Sequence, residues 1–410
     1  MARYHIKTFG CKVNQVESDD LHAVLMKKGM QAVSAAVEAD IVIVNTCTVT
    51  GEADRKVRKE LRRSARLPNV HAVIVIGCSA TLKKDELEAL DEKITVLPNR
   101  ESIPNHLADY AKNLPLIADL DDDLPSALST RIRVPVKVQD GCEDFCSYCI
   151  VPFARGNCTS VNADEVLDKI KSLVAVGTKE VILTGINLGN YTSDGAHSLA
   201  VLIQRIQEET DLYRLRLSSI EPKHVSDELL VFLKPPPDGS RNILCEHLHI
   251  PLQSGSDYVL GDMNRSYSVE EFREVAQRIR AANPNTAITT DIIVGYPSEG
   301  DDDFTQTLEL VKELRFAKIH VFRYSPREGT AAARLKPLNS NLVRKRAQIL
   351  QDQADRDAEA YFESRQGEEL ELIVEILDEA AGTVTGTSRE YLRLSIPAAE
   401  HKPGDLVRIT

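Results

Sequence analysis

The hydrophobic rhythm of this 410-residue chain changes twice, and each change marks a different architecture. In the first third, alternating or β-branched runs read as strands: "RYHIKTF" at 3–9, "IVIVNT" at 41–46 and "AVIVIG" at 72–77. Between them, "NQVESDDLHAVLMKKG" at 14–29 and residues 52–66 carry the helical period, with Asn14 as a candidate cap. Strands alternating with helices predict a small α/β domain on an open parallel sheet. Around residues 115–130 acidic and small residues break the pattern, and a linker is placed there.

The middle of the chain resumes the alternation. Strands are predicted at 134–138, 180–185, 214–219, 247–253, 288–295 and 318–325, separated by helical patterns. Six β/α repeats without a seventh or eighth predict an open, partial (β/α)6 barrel. A charged helix follows at about 341–364, and then the rhythm shortens. Runs at 368–377, 382–388, 390–396 and 405–410, parted by Gly-containing turns, read as a small C-terminal all-β module, barrel-like and of the oligonucleotide-binding type. The fold class is therefore α/β, divided as 1–114, 128–358 and 362–410.

Composition narrows the setting. Hydrophobic content of 42% and charged content of 27% are ordinary for a soluble globular protein. The N-terminus has no signal-peptide core, and no stretch has the apolar length of a membrane span, so a cytoplasmic, non-membrane protein is expected. The net charge of −12 argues against a uniformly basic surface. One local patch stands out: "RKVRKELRRSAR", 55–66, has seven Arg or Lys against one Glu. A solvated helix face is the commoner meaning of such a run, and RNA contact the sharper one.

The 8 cysteines are too few and too dispersed for a disulfide scaffold, so in a reducing compartment the clustered ones read as metal ligands. "GCEDFCSYC", 141–149, spaces Cys142, Cys146 and Cys149 as C-x3-C-x2-C just beyond the first barrel strand. Three thiolates on a four-iron cluster leave one iron open to a small chelating ligand. A zinc site with a distant fourth ligand remains open on spacing alone. Cys11, Cys47 and Cys78 are far apart in sequence, yet each stands at the C-terminal end of a predicted parallel strand. Such ends share one edge of the sheet, so the three are predicted to converge, again with one metal position open. Cys158 and Cys245 have no partner at ligand spacing and read as structural thiols.

The order of motifs resembles the radical S-adenosylmethionine methylthiotransferases along nearly the whole length. They are "FGCKVNQVES", "NTCTVT", "GCSA", "VKVQDGCEDFCSYCIVPFARG", "LTGINLGNY", "RLSSIEP", "HLHIPLQSGSD", "TDIIVGYP" and "YSPREGT". The C-terminal strands look like a TRAM domain. Within the family, "GCKVN" with "KVQDGC" is most similar to the branch that adds a methylthio group to C2 of N6-threonylcarbamoyladenosine in tRNA, 3′ to the anticodon.

The resemblance implies two [4Fe-4S] clusters and S-adenosyl-L-methionine, with Cys142, Cys146 and Cys149 on the radical cluster and Cys11, Cys47 and Cys78 on the auxiliary one. It implies a 5′-deoxyadenosyl radical for the unactivated C2–H bond, and sulfur delivered through the auxiliary cluster. Tyr148, Gly185, Asn187, Ser219, Glu221, Gln253 and Gly295 fall where the superfamily contacts S-adenosylmethionine. Implied partners are a tRNA substrate and a reducing electron donor such as flavodoxin or ferredoxin; the sulfur source is left unspecified. The sequence departs from the family at "NCTS" after Gly156, at Ser298 in "GYPSE" and at Arg323 in "HVFRYS". The alternatives are a sister branch, acting on isopentenyladenosine in tRNA or on a ribosomal-protein aspartate, and a non-catalytic metal-stabilised RNA-binding protein.

Overall fold

The computed structural model describes residues 2–98, 103, 106–107, 131–236 and 242–410, and the linker placed around 115–130 lies outside these. Two compact units are present. The first is Met1–Thr130 with the segments Cys149–Gly156 and Ser325–Gly329, and the second holds the rest of the chain.

The first unit is a five-stranded parallel sheet of β1 (Arg3–Thr8), β2 (Gln31–Ala32), β3 (Ile41–Thr46), β4 (Ala72–Gly77) and β5 (Ile94–Val96), in the order β2-β1-β3-β4-β5. β3 and β4 are buried along their whole length. Val42, Val44, Val73 and Val75 pack on Val57 and Leu61 of the helix Gly51–Ala65. Ile41, Ile43, Ile74 and Ile76 face the opposite way, toward Leu21 and Leu25 of the helix Lys12–Lys27. Burial on both faces explains why these strands read as unbroken β-branched runs.

The second unit opens with β6 (Arg133–Lys137) and a short antiparallel pair, β7 (Gln139–Asp140) with β8 (Thr159–Ser160). It continues with β9 (Glu180–Thr184), β10 (Arg214–Leu217), β11 (His247–His249), β12 (Ala287–Val294) and β13 (Lys318–Arg323). Parallel pairing gives β6-β9-β10 and β11-β12-β13, and the bridges Leu215–Leu244 and Ser219–His249 join the two sets. The predicted open barrel of six strands is thus present, its helix-facing core built from residues such as Leu183, Leu215, Leu248, Ile292 and Ile319.

The helix Ser340–Ser364 leads to β14 (Leu370–Asp378), β15 (Thr383–Ser388), β16 (Arg393–Pro397) and β17 (Leu406–Ile409). These form an antiparallel sheet in the order β16-β15-β14-β17. It docks on the inner face of the six strands through buried charge. Arg214 Nη2 lies 2.9 Å from Glu371 Oε1, Arg216 Nε lies 2.9 Å from Glu180 Oε1, and Arg216 Nη2 donates to the Ser388 carbonyl at 2.9 Å. Tyr391 stacks on His247 with centroids 4.1 Å apart. Breaking one partner of such a network would strand a charge in a low-dielectric interior.

Candidate metal centres

β1, β3 and β4 are neighbours in one parallel sheet, so their C-terminal ends stand in a row. Cys11 occupies the N-cap position of the helix Lys12–Lys27, Cys47 follows β3 directly, and Cys78 opens the helix Cys78–Leu82 after β4. Burial, then the neighbouring Cys78 and Cys11, push the Cys47 thiol up to about 11, and Arg155 opposes the rise.

The loops around this site are laced together. Asn14, read from the sequence as a cap, lies inside the helix, which starts at Lys12 with Cys11 as its N-cap. Its amide serves the site: Nδ2 donates to the carbonyls of Phe9 at 2.8 Å and Thr46 at 2.9 Å, and Oδ1 accepts from Cys11 Sγ at 3.6 Å and from Arg155. Arg155, whose side chain is almost fully buried, also pairs with Glu17 at 3.0 Å. It ends the helix Val151–Arg155, which packs on Cys78–Leu82. Ser79 Oγ donates to the Cys47 carbonyl at 3.2 Å. Gly10 has φ +103°, and a Cβ there would fall 2.6 Å from Cys47 Cβ, so only glycine fits this approach.

In the second unit, Cys142 and Cys146 sit in the loop after β7, and Cys149 follows where the chain passes into the first unit. Ser147 anchors the loop, its amide donating to the Met263 carbonyl at 3.0 Å and its hydroxyl to the Asp262 carbonyl at 2.7 Å. Donors aim at both sulfurs: Arg265 Nη1 stands 3.0 Å from Cys146 Sγ, and Asn187 Nδ2 stands 3.8 Å from Cys142 Sγ. Arg265 is fixed by an ion pair with Glu221 and lies over the Tyr267 ring, 5.0 Å from its centroid. Asn187 also donates to Asp144 Oδ2 at 2.7 Å, and Asp144 pairs with Lys223 at 2.7 Å. Burial pushes both thiols up; Arg265 opposes this at Cys146.

Asn187 Oδ1 is buried and has no hydrogen-bond partner among the described residues, an acceptor suited to a cationic amino group beside Cys142. The donors on the sulfurs and this orphaned oxygen fit a thiolate-bound cluster with a chelating amino acid.

Of the other sequence candidates, the structure brings Glu221 to the cysteine loop through Arg265. Ser219 forms the bridge to His249 between β10 and β11, and Gly185 lies just past β9 with its amide 3.4 Å from Ser218 Oγ. Gln253 has φ +66° and its amide donates to the Asp291 carbonyl at 2.8 Å. Gly295, at φ +74°, donates to Glu299 at 2.8 Å. Tyr148 packs beside Val259, Met263, Tyr296 and Ala332. Cys245 is fully buried, and Cys158 lies 3.8 Å from the Gly141 carbonyl. Sequence reasoning missed Arg265, which no periodicity or spacing ties to the cysteines; Asp144 and Arg155 lie inside the quoted cysteine motif, but no role was read for either.

Three clustered cysteines following the first strand of an open six-stranded parallel barrel define a radical S-adenosylmethionine enzyme. Residues 136–311 match the radical SAM superfamily, and residues 3–98 match uncharacterized protein family UPF0004. Relatives named threonylcarbamoyladenosine tRNA methylthiotransferase MtaB include one from Bacillus subtilis, 33% identical with 100% of this chain and 93% of that protein covered. Another is from Thermotoga maritima, 36% identical with 92% and 87% covered. A tRNA-2-methylthio-N(6)-dimethylallyladenosine synthase from Thermodesulfovibrio yellowstonii is 34% identical, with 99% and 95% covered. The chain belongs to the radical S-adenosylmethionine methylthiotransferase family, whose cofactors are [4Fe-4S] clusters and S-adenosylmethionine. The radical S-adenosylmethionine methyltransferase TsrM from Kitasatospora setae shares the fold, with TM-score 0.58 at 15% identity over 81% of this chain and 77% of that one.

Proposed function

We propose that this enzyme adds a methylthio group to C2 of N6-threonylcarbamoyladenosine, 3′ to the anticodon of tRNA. The observation that carries the reading is the convergence of Cys11, Cys47 and Cys78, a second three-thiolate site apart from the radical motif. The relatives named for this nucleoside supply the substrate. Bound clusters and S-adenosylmethionine supply the one-electron chemistry that no side chain offers at an aromatic C–H bond.

The protein's part is placement. Cys142, Cys146 and Cys149 would hold the radical cluster, and Cys11, Cys47 and Cys78 the auxiliary cluster that serves as the sulfur site. Asn187 would accept from the amino group of S-adenosylmethionine, and Arg265 would hold Cys146 in its thiolate form. Tyr148, Gly185, Ser219, Glu221, Gln253 and Gly295 complete the proposed cradle along the strand ends, where barrels of this kind place their chemistry.

A low-potential reductant such as flavodoxin or ferredoxin, and a cytoplasmic location, belong to the same proposal. So does the division into domains at 1–114, 128–358 and 362–410, the last TRAM-like. Among the described residues, no helix is long and apolar enough to cross a membrane.

The test is mass spectrometry of nucleosides from bulk tRNA with and without the gene. Loss of the 2-methylthio form with accumulation of threonylcarbamoyladenosine supports the assignment. An unchanged level overturns it and directs attention to the isopentenyl nucleoside and to ribosomal proteins.

A further inference from the structure

The inner face of the central strands carries a donor set that methylthiotransfer leaves unused. Leu248, Ile288, Ile292 and Ile319 point into the helix-facing core, so strand alternation turns His249, Thr289, Asp291 and His320 to the opposite, inner face. Register sets them side by side, His249 opposite Thr289 and Asp291 opposite His320. One ligand atom from each of His249, Asp291 and His320 lies within 4.8 Å of the other two. His249 Nε2 stands 3.3 Å from Asp291 Oδ1, and the two imidazole centroids are 5.8 Å apart.

Two observations point to a cation. His249 Nδ1 is 2.9 Å from Thr289 Oγ1, a hydrogen bond that leaves Nε2 as the nitrogen facing Asp291. Histidine ligands are commonly oriented this way, by an outer partner on the other ring nitrogen. Charge is the second. Elsewhere on this face Glu180 meets the guanidinium groups of Arg214 and Arg216. Asp291, three-quarters buried, faces two imidazoles and among the described residues pairs with no arginine or lysine.

Metal–ligand bonds of about 2.0–2.2 Å place donors on one ion roughly 3–3.5 Å apart, and the His249–Asp291 pair is already at that spacing. We propose that His249, Asp291 and His320 bind one divalent first-row transition ion, with the remaining coordination positions open to the barrel interior. Two imidazoles and a carboxylate suit zinc or ferrous iron.

The test uses protein with both clusters reconstituted, so that the cysteines are occupied, equilibrated with zinc and then dialysed. The expected result is about one zinc per chain, with a zinc-edge X-ray absorption spectrum showing nitrogen and oxygen neighbours and no sulfur. His320→Gln and Asp291→Asn should lose that zinc while keeping their iron. Thr289→Val, which spares all three ligands, should weaken it by about 10–100-fold. A sulfur shell, zinc bound equally by all variants, or no retained zinc would each overturn the proposal.

Discussion

Arg265 Nη1 lies 3.0 Å from Cys146 Sγ, and the same guanidinium is ion-paired to Glu221. A positive donor on a ligand sulfur stabilises the more negative, reduced state of a cluster. Arg265→Ala should therefore lower the midpoint potential of the radical cluster while leaving its iron content intact. Potentiometry followed by electron paramagnetic resonance reads this directly, and an unchanged potential would remove Arg265 from that role.

The two cysteine sets should separate in function. Replacing Cys142, Cys146 or Cys149 by Ala should abolish reductive cleavage of S-adenosylmethionine. Replacing Cys11, Cys47 or Cys78 should spare cleavage and abolish methylthiolation. Product formed at normal yield by the second group would refute the sulfur-site role.

Gly10→Ala tests the auxiliary cradle without replacing a ligand. The added methyl would sit 2.6 Å from Cys47 Cβ, in a backbone conformation that disfavours any side chain. Iron content after reconstitution should fall by about half, the loss expected of one four-iron cluster in two. Arg155→Ala should act in the same direction, because it frees Asn14 and Glu17 from their shared partner. Full iron loading in both variants would show that the cradle tolerates disorder.

Burial alone would raise the Glu180 carboxyl, yet Arg216, Arg133 and Arg214 hold it below the usual carboxylate range. The stability this confers is complete above the unfolded value of about 4.3 and is lost as pH falls through the lower folded value. Glu180→Gln should cost about 3–5 kcal/mol at neutral pH, since it leaves buried guanidinium groups short of a partner. Its melting temperature should also drop less steeply than the wild type's in strong acid. Parallel acid profiles would place the acid-sensitive group elsewhere.

The helix Gly51–Ala65 buries Val57 and Leu61 and exposes Arg55, Lys59 and Arg62, with Arg66 at its C-cap also exposed. Lys56, Arg58 and Arg63 are instead paired with Glu52, Glu86 and Glu60. Changing the four exposed cations to Gln should weaken tRNA binding and flatten its salt dependence by roughly 0.7–0.9 per lost phosphate contact. Equal affinity across salt would return the run to a solvated helix face.

β3 and β4 occupy 41–46 and 72–77, the residues at which the sequence predicts them, because burial on both faces writes a continuous apolar run. The strand expected at 247–253 shortens to His247–His249. Pro251 removes a ladder donor, and Gln253 turns to φ +66°. The convergence of Cys11, Cys47 and Cys78 was legible because parallel topology alone puts strand ends on one edge.

Other contacts had no such rule behind them. Arg265 meets Cys146 across 119 positions, and Arg155 meets Asn14 across 141. The chain's own pattern determined the layers and the strand ends where the six candidate cysteines stand, since local periodicity and topology suffice for those. Only the tertiary structure decided which cations face the sulfurs, and which inner-face residues meet around Asp291. Those pairings depend on side-chain direction between elements far apart in sequence, where no period carries information.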